Sequence, residues 1–198
     1  MNSIGVLIYE PDRYARAGLE KTAEALKTDY LPVTIIEDAN LSVITASQKN
    51  AVRILCTDTL FTAEGREWLT AFMKFNLTHP DTKIVCLCRL RLCKWVRQTA
   101  ILTGCKVQII PVPSFEKACT QISNSSGNSQ NYLLEGQLTT KERKVLKLLL
   151  IGISVDTISL IMNISQKTVY SLKINALKRF GIDHINRLYY LRDAVRVI

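Results

Sequence analysis

The chain has 198 residues, 47% apolar and 22% charged, which excludes wholesale disorder and allows one or two domains. No run of about 18 uncharged apolar residues occurs and the N-terminus has no basic leader, so neither a membrane span nor a secretory signal is expected and the compartment reads as cytoplasmic. The net charge of +9 is unevenly placed: residues 1–137 carry 15 Lys and Arg against 13 Asp and Glu, whereas residues 138–198 carry 11 against 4. That basic density points to a polyanionic partner, nucleic acid first; the alternative is a solvated basic surface with no partner.

In chain order, residues 4–9 form a short apolar run that ends at Glu10-Pro11-Asp12, a buried strand running into a loop. A helical pattern follows over 13–27. Further strands are predicted at Val33–Glu37, Val52–Cys56, Lys83–Cys88 and Lys106–Ile110, with helices around 64–76, near 92–102 and over Ser114–Ile122. Strands alternating with helices predict a parallel α/β sheet. The polar Gly/Ser/Asn-rich stretch 123–136 reads as a linker between domains 1–122 and 137–198.

Beyond the linker the pattern is purely helical. Thr139-x-x-Glu142 is a capping box that opens a helix ending at Gly152. Ser154 caps a second helix, Asn163-Ile164 makes a turn, and Ser165 caps a third helix that Gly181 stops near Phe180. A fourth is predicted over 184–196. At about 100° per residue, Val169, Leu172, Ala176, Leu177 and Phe180 share one side of the third helix. Lys167, Tyr170, Ser171, Ile174 and Lys178 share the other. A helix about 22 Å long fits a B-DNA major groove. Lys173, Lys178 and Arg179 flank the stripe and suit phosphates. The short helix and tight turn before it complete a helix-turn-helix.

All six cysteines (56, 86, 88, 93, 105, 119) precede residue 120. Cys86, Cys88 and Cys93 match no paired metal-ligand spacing and have no neighbouring His; all six cysteines read as reduced thiols and Cys86 and Cys88 as buried, with metal binding or redox sensing as the alternatives. No Gly-rich phosphate loop, nucleophile elbow or His pair occurs, so no catalytic residue, metal or cofactor is assigned and an enzyme is the least supported class.

These residues carry a resemblance. The opening Leu138-Thr-x-x-Glu142-Arg, Gly152, Ser165-x-x-Thr168-Val169 and Lys178-x-x-Gly181 resemble the LuxR/NarL-type helix-turn-helix over about 60 residues. The resemblance implies a four-helix domain that binds double-stranded DNA, with its third helix in the major groove and its fourth supporting dimerisation. It places DNA contacts at Ser165, Lys167, Thr168, Tyr170, Ser171, Lys173, Ile174, Asn175, Lys178 and Arg179. Tyr170 stands where the family usually has a basic residue, and Leu172 where it usually has His. The base-reading positions become Tyr170, Ser171 and Ile174. Ile174 suits a thymine methyl or, equally, a protein contact.

The first 122 residues resemble a response-regulator receiver, a flavodoxin-like fold, through strand–helix alternation, Arg16-x-Gly18-Leu19 and the Thr103-Gly104-Cys105 turn. A working receiver needs an acidic pair, an acceptor Asp, a Ser/Thr and a Lys. Here the acidic pair reads Glu10-Pro11, the Ser/Thr position falls on Cys88 and the Lys position on Pro111. Counting back from Gly65 puts Thr57 at the acceptor, with Asp58 one residue away. Mg²⁺ needs well-placed oxygens, which Pro11 cannot supply; Asp12 is a candidate substitute. The expectation is a receiver fold without phosphotransfer. Loss of that machinery resembles accessory regulators of the RcsA/BglJ kind and those of fimbrial gene clusters. Two functions follow: a DNA-binding transcription regulator acting as a dimer, or an interaction protein that heterodimerises with another LuxR-type regulator.

Overall fold

The computed structural model describes residues 5–25, 35–36, 52–78, 83–112 and 137–196. The apolar runs form five strands: β1 (Gly5–Tyr9), β2 (Ile35–Ile36), β3 (Val52–Thr57), β4 (Lys83–Arg89) and β5 (Val107–Val112). They pair in parallel in the order β2-β1-β3-β4-β5. This is the flavodoxin-like order, whose switch point lies between the carboxyl ends of β1 and β3.

Strand residues alternate between two covered faces, which is why the runs read as continuously apolar. Ile8, Leu55 and Leu87 meet Leu19 and Ala23 of α1 (Arg13–Ala25). Tyr9, Ile54, Cys56, Ile84, Cys86 and Cys88 belong to the other face, with α2 (Arg66–Thr78) and α3 (Cys93–Thr103). Strand β5 continues through Pro111, beyond the predicted end at Ile110, with Pro111 opposite Cys88. An edge strand tolerates a proline because the missing N–H faces no partner strand. The predicted helix at 114–122 and the linker at 123–136 lie outside the described residues.

Between β3 and α2 the chain doubles back tightly. A Cβ at Gly65 would stand 2.5 Å from the Leu60 carbonyl oxygen and 2.6 Å from the Leu60 Cα. Both are backbone atoms, so relief requires moving the turn. Gly65→Ala is expected to cost about 1–3 kcal/mol, the usual range for overpacking. Urea unfolding of the two proteins measures it; equal midpoints would show that the turn relaxes freely.

The basic half contains α4 (Thr140–Leu150), α5 (Val155–Met162), α6 (Gln166–Phe180), a 3-10 stretch at Ile185–Leu191 and α7 (Arg192–Arg196). The capping box forms as read: Thr139 Oγ1 accepts from the Glu142 N–H at 3.3 Å and Glu142 Oε2 accepts from the Thr139 N–H at 2.8 Å. The predicted fourth helix is corrected to a 3-10 stretch that passes into a short α-helix. Its apolar residues explain the difference. Ile185, Leu188 and Leu191 recur every three residues, the 3-10 period, and Leu188 and Leu191 are fully buried.

The halves pack together. Phe61, Leu69, Val96 and Ala100 share one buried cluster with Leu138, Leu146, Leu177 and Phe180. The Trp95 and Phe180 rings meet edge to face at 5.3 Å. The Phe61 carbonyl accepts from Trp95 Nε1 at 2.9 Å and from the Tyr190 hydroxyl at 2.8 Å, and Gln98 Oε1 accepts from the Leu138 N–H at 3.2 Å. Burial pushes the Tyr190 phenol up to about 12, so it remains a donor at neutral pH. Among the described residues no helix is long and apolar enough to cross a membrane.

Candidate functional site

Small polar residues cap both helices, and two of them, Asn163 and Ser165, form the turn between α5 and α6. Ser154 caps α5 by accepting from the Thr157 N–H at 3.1 Å. Asn163 ends it in the left-handed conformation at φ 52°, and the Ile164 N–H returns to the Ser159 carbonyl at 3.0 Å. Asn accepts this backbone more readily than most side chains. Ser165 then caps α6, accepting from the Thr168 N–H at 3.1 Å. The Ser165 and Thr168 hydroxyls lie 2.8 Å apart, so both residues are occupied in holding the first turn of α6. Val145, Ile158 and Val169, all fully buried, tie α4, α5 and α6 into one core.

Helix α6 divides as its periodicity predicts. Val169, Ala176, Leu177 and Phe180 are buried, with Leu172 partly so. Lys167, Tyr170, Ser171, Ile174, Asn175 and Lys178 are exposed, and Lys173 is half-buried. Tyr170 and Ile174 each expose 50% of their surface, large for apolar side chains at 3.6-residue spacing on one face. The Ser171 hydroxyl donates to the Lys167 carbonyl at 3.0 Å.

Arg179 stands apart from the other basic residues of α6. Its Nε donates to Glu142 Oε2 at 2.8 Å, and the Glu142 side chain is only 4% exposed. The sequence reading grouped Arg179 with phosphate-binding residues; the structure gives it a second task, fastening the end of α6 to the start of α4. Burial pushes the Glu142 carboxyl up, but the Thr139 N–H, the Arg179 guanidinium and the Thr139 side chain outweigh it and hold Glu142 below the usual carboxylate value. Nothing in the spacing of residues 142 and 179 signals this pair, because it joins two helices.

The residues expected at the acceptor site gather at the carboxyl ends of the strands, where ligands bind in such sheets. Glu10 is buried. Its Oε1 accepts from the Asp12 N–H at 3.0 Å and its Oε2 accepts from the Thr57 hydroxyl. Thr57 Oγ1 also lies 3.0 Å from Thr59 Oγ1. Asp58, 4% exposed, is held by Arg89: Nη2 donates to Oδ2 at 2.6 Å, and Nε lies 3.2 and 3.3 Å from the two oxygens. Arg89 was missed in the sequence; its only signal is its place immediately after Cys88 at the end of β4. Asp12, the candidate to restore the acidic pair, is exposed and caps α1, accepting from the Tyr14 and Ala15 N–H groups at 2.9 Å. Pro11 is exposed, Cys88 is buried and Pro111 is partly buried.

The thiols of Cys56, Cys86, Cys88 and Cys93 form one connected run beneath this site. Burial raises the Cys86 thiol far above its ordinary range and pushes Cys93 up to about 12. Contact with the Cys86 side chain, then burial, raises Cys88. Cys86, Cys88 and Cys93 thus resemble structural thiols rather than nucleophiles. Among the described residues no three His, Cys, Asp or Glu side chains are placed to hold a metal.

Among solved structures, the RcsB response regulator of Salmonella typhimurium is similar at 19% identity and a TM-score of 0.46, over 96% of this chain and 97% of that one. A complex of the two-component response regulator RcsB with DNA is similar at 20% identity and 0.49, over 96% and 99%. Full-length FixJ from B. japonicum is similar at 15% identity and 0.43, over 100% of both chains. No curated protein matches the chain. Residues 136–191 match the family of bacterial regulatory proteins, luxR family, so the basic half is similar to that helix-turn-helix module and follows an α/β half with a receiver-like strand order.

Proposed function

We propose that the protein is a transcription regulator that binds double-stranded DNA through α6 and acts without phosphorylation of its receiver-like half. One observation carries the reading: α6, capped by Ser165 and set by Asn163, buries its apolar side while its opposite face stays exposed. Helix width and exposed basic residues fit a major groove and its phosphates. In this reading 1–122 is a pseudo-receiver, 123–136 a linker and 137–198 the DNA-binding domain.

Independence from phosphorylation rests on the chemistry at the strand ends. The Glu10 carboxylate is taken up by Thr57 and the Asp12 N–H, and Arg89 covers Asp58. Phosphorylating Asp58 would require displacing Arg89 and building a Mg²⁺ site around a Glu10 carboxylate already held by Thr57 and the Asp12 N–H. The chain is therefore expected to show no mass increase when incubated with acetyl phosphate and Mg²⁺. A stoichiometric phosphoryl adduct on Asp58, seen by intact mass and peptide mapping, would refute this part of the proposal.

The heterodimer reading draws on the exposed apolar residues of the helix-turn-helix: Leu160 at 81% exposure and Ile161 at 52% on α5, beside Tyr170 and Ile174 on α6. Such side chains fit a protein surface as well as base edges. A gel shift with the purified chain decides. Specific binding by the protein alone, at nanomolar concentration, supports a self-sufficient regulator. Binding only with a second LuxR-type regulator supports the accessory role, of the RcsA/BglJ or fimbrial kind.

A further inference from the structure

We propose that the receiver-like half contributes directly to DNA binding: Lys94 at the start of α3 contacts a backbone phosphate beside Lys178 of α6, in the cleft between the two halves. The proposal rests on α6 being the DNA-reading helix and extends it to a residue outside the luxR-family module.

The cleft has a volume of about 290 Å³ and is lined by Lys94, Asn175, Lys178 and Arg179. Arg179 is neutralised by Glu142. Lys94 and Lys178 are exposed, and no carboxylate among the described residues pairs with either. Two like charges at the mouth of one cleft repel unless an anion lies between or beside them. The wider surroundings reinforce this, because residues 82–115 hold six Lys and Arg and no Asp or Glu.

The helix start that carries Lys94 is anchored. Its neighbour Trp95 is anchored by the bond from Nε1 to the Phe61 carbonyl and by its edge-to-face contact with Phe180, the last residue of α6. The backbone at Lys94 is therefore tied to the end of α6, with the ammonium group exposed. Tyr170, Ile174 and Lys178 follow one another at four-residue spacing, so the exposed stripe of α6 runs directly into the cleft. With that stripe in a major groove, the end of α6 meets the phosphate wall, and Lys94 faces the same strand.

DNA is favoured over a small anionic ligand by the shape and lining of the site. Small-molecule pockets enclose most of their ligand with largely apolar walls. This cleft has four polar or charged lining residues from two elements, one surface of which continues into the reading stripe.

The test uses the full chain and a duplex of random sequence, with affinity followed against salt. Each phosphate contact contributes a slope of about 0.9 in log affinity against log salt. Lys178→Ala and Lys94→Gln are each expected to flatten the slope by about one unit, and the double variant by about two. Lys21→Gln, on α1 across the sheet, is the control and should keep the wild-type slope. Thermal melts show whether the variants remain folded; Lys94 is exposed, and Lys94→Arg, which keeps the charge, should keep the slope. If Lys178→Ala flattens the slope and Lys94→Gln does not, the proposal is overturned while the DNA-binding reading stands. If neither does, both fall. Saturable binding of inorganic pyrophosphate without DNA, abolished by Lys94→Gln, would assign the cleft to a free anion and overturn the proposal as well.

Discussion

Glu142→Ala is expected to destabilise the helix-turn-helix by about 2–4 kcal/mol. Two losses combine. The capping box disappears, leaving the Thr139 N–H without its partner, at about 1 kcal/mol. The buried ion pair with Arg179 also breaks, and removing one partner of such a pair costs about 3–5 kcal/mol when both are fully buried. Arg179 retains 32% side-chain exposure, so water recovers part of its solvation and the figure is reduced. Urea unfolding at pH 7 measures the total. A shift in midpoint equivalent to less than about 1 kcal/mol would mean that the pair is an incidental contact.

The same carboxylate gives a pH dependence of known sign. Glu142 is held below its ordinary value in the folded protein, so folding favours its ionised form. Its contribution is fully present above the unfolded value, 4.5 as the reference for Glu, and is lost as pH falls through the lower folded value. The stability gap between wild type and Glu142→Gln should therefore be flat near neutrality and narrow below about pH 4.5. A gap that widened on acidification would reverse the assignment.

Much of this architecture is legible in the chain because it depends on local rules. The strands announce themselves as apolar runs, and their parallel pairing follows from the helices between them. The capping residues Thr139, Ser154 and Ser165 all act as caps, since that interaction spans only three residues. Asn163 was recognisable as a turn for the same reason. The contacts that fix the acceptor site and the relation between the halves are not local. Arg89 reaches Asp58 across 31 positions, and Tyr190 reaches Phe61 across 129. Arg179 shows the consequence: its place near the end of a basic helix suggests a phosphate, and only the fold brings Glu142 to it. The fourth helix lies within its predicted span, but its first part is 3-10, a detail fixed by how Leu188 and Leu191 pack into the core and not by local sequence.

The reading stripe of α6 should separate into two kinds of residue when tested on DNA. Ile174 and Lys178 lie one turn apart on the exposed face, and their chemistry differs. A lysine at the groove wall neutralises a phosphate and releases counterions whatever the sequence. Lys178→Ala is therefore expected to weaken cognate and random duplexes alike and to flatten the salt dependence by about one unit. Ile174 carries no charge, so Ile174→Ala should leave the salt slope unchanged. If its side chain meets a thymine methyl, the loss falls on the cognate site: about 1–3 kcal/mol there, or roughly five- to 150-fold in affinity, and far less on random DNA. A salt titration of both variants on both duplexes resolves the two effects. The opposite pattern is equally readable. Should Ile174→Ala bind every duplex as wild type does, yet fail to assemble with a second regulator, then Ile174 belongs with Leu160 and Ile161 to a protein-facing surface, and the accessory reading replaces the self-sufficient one.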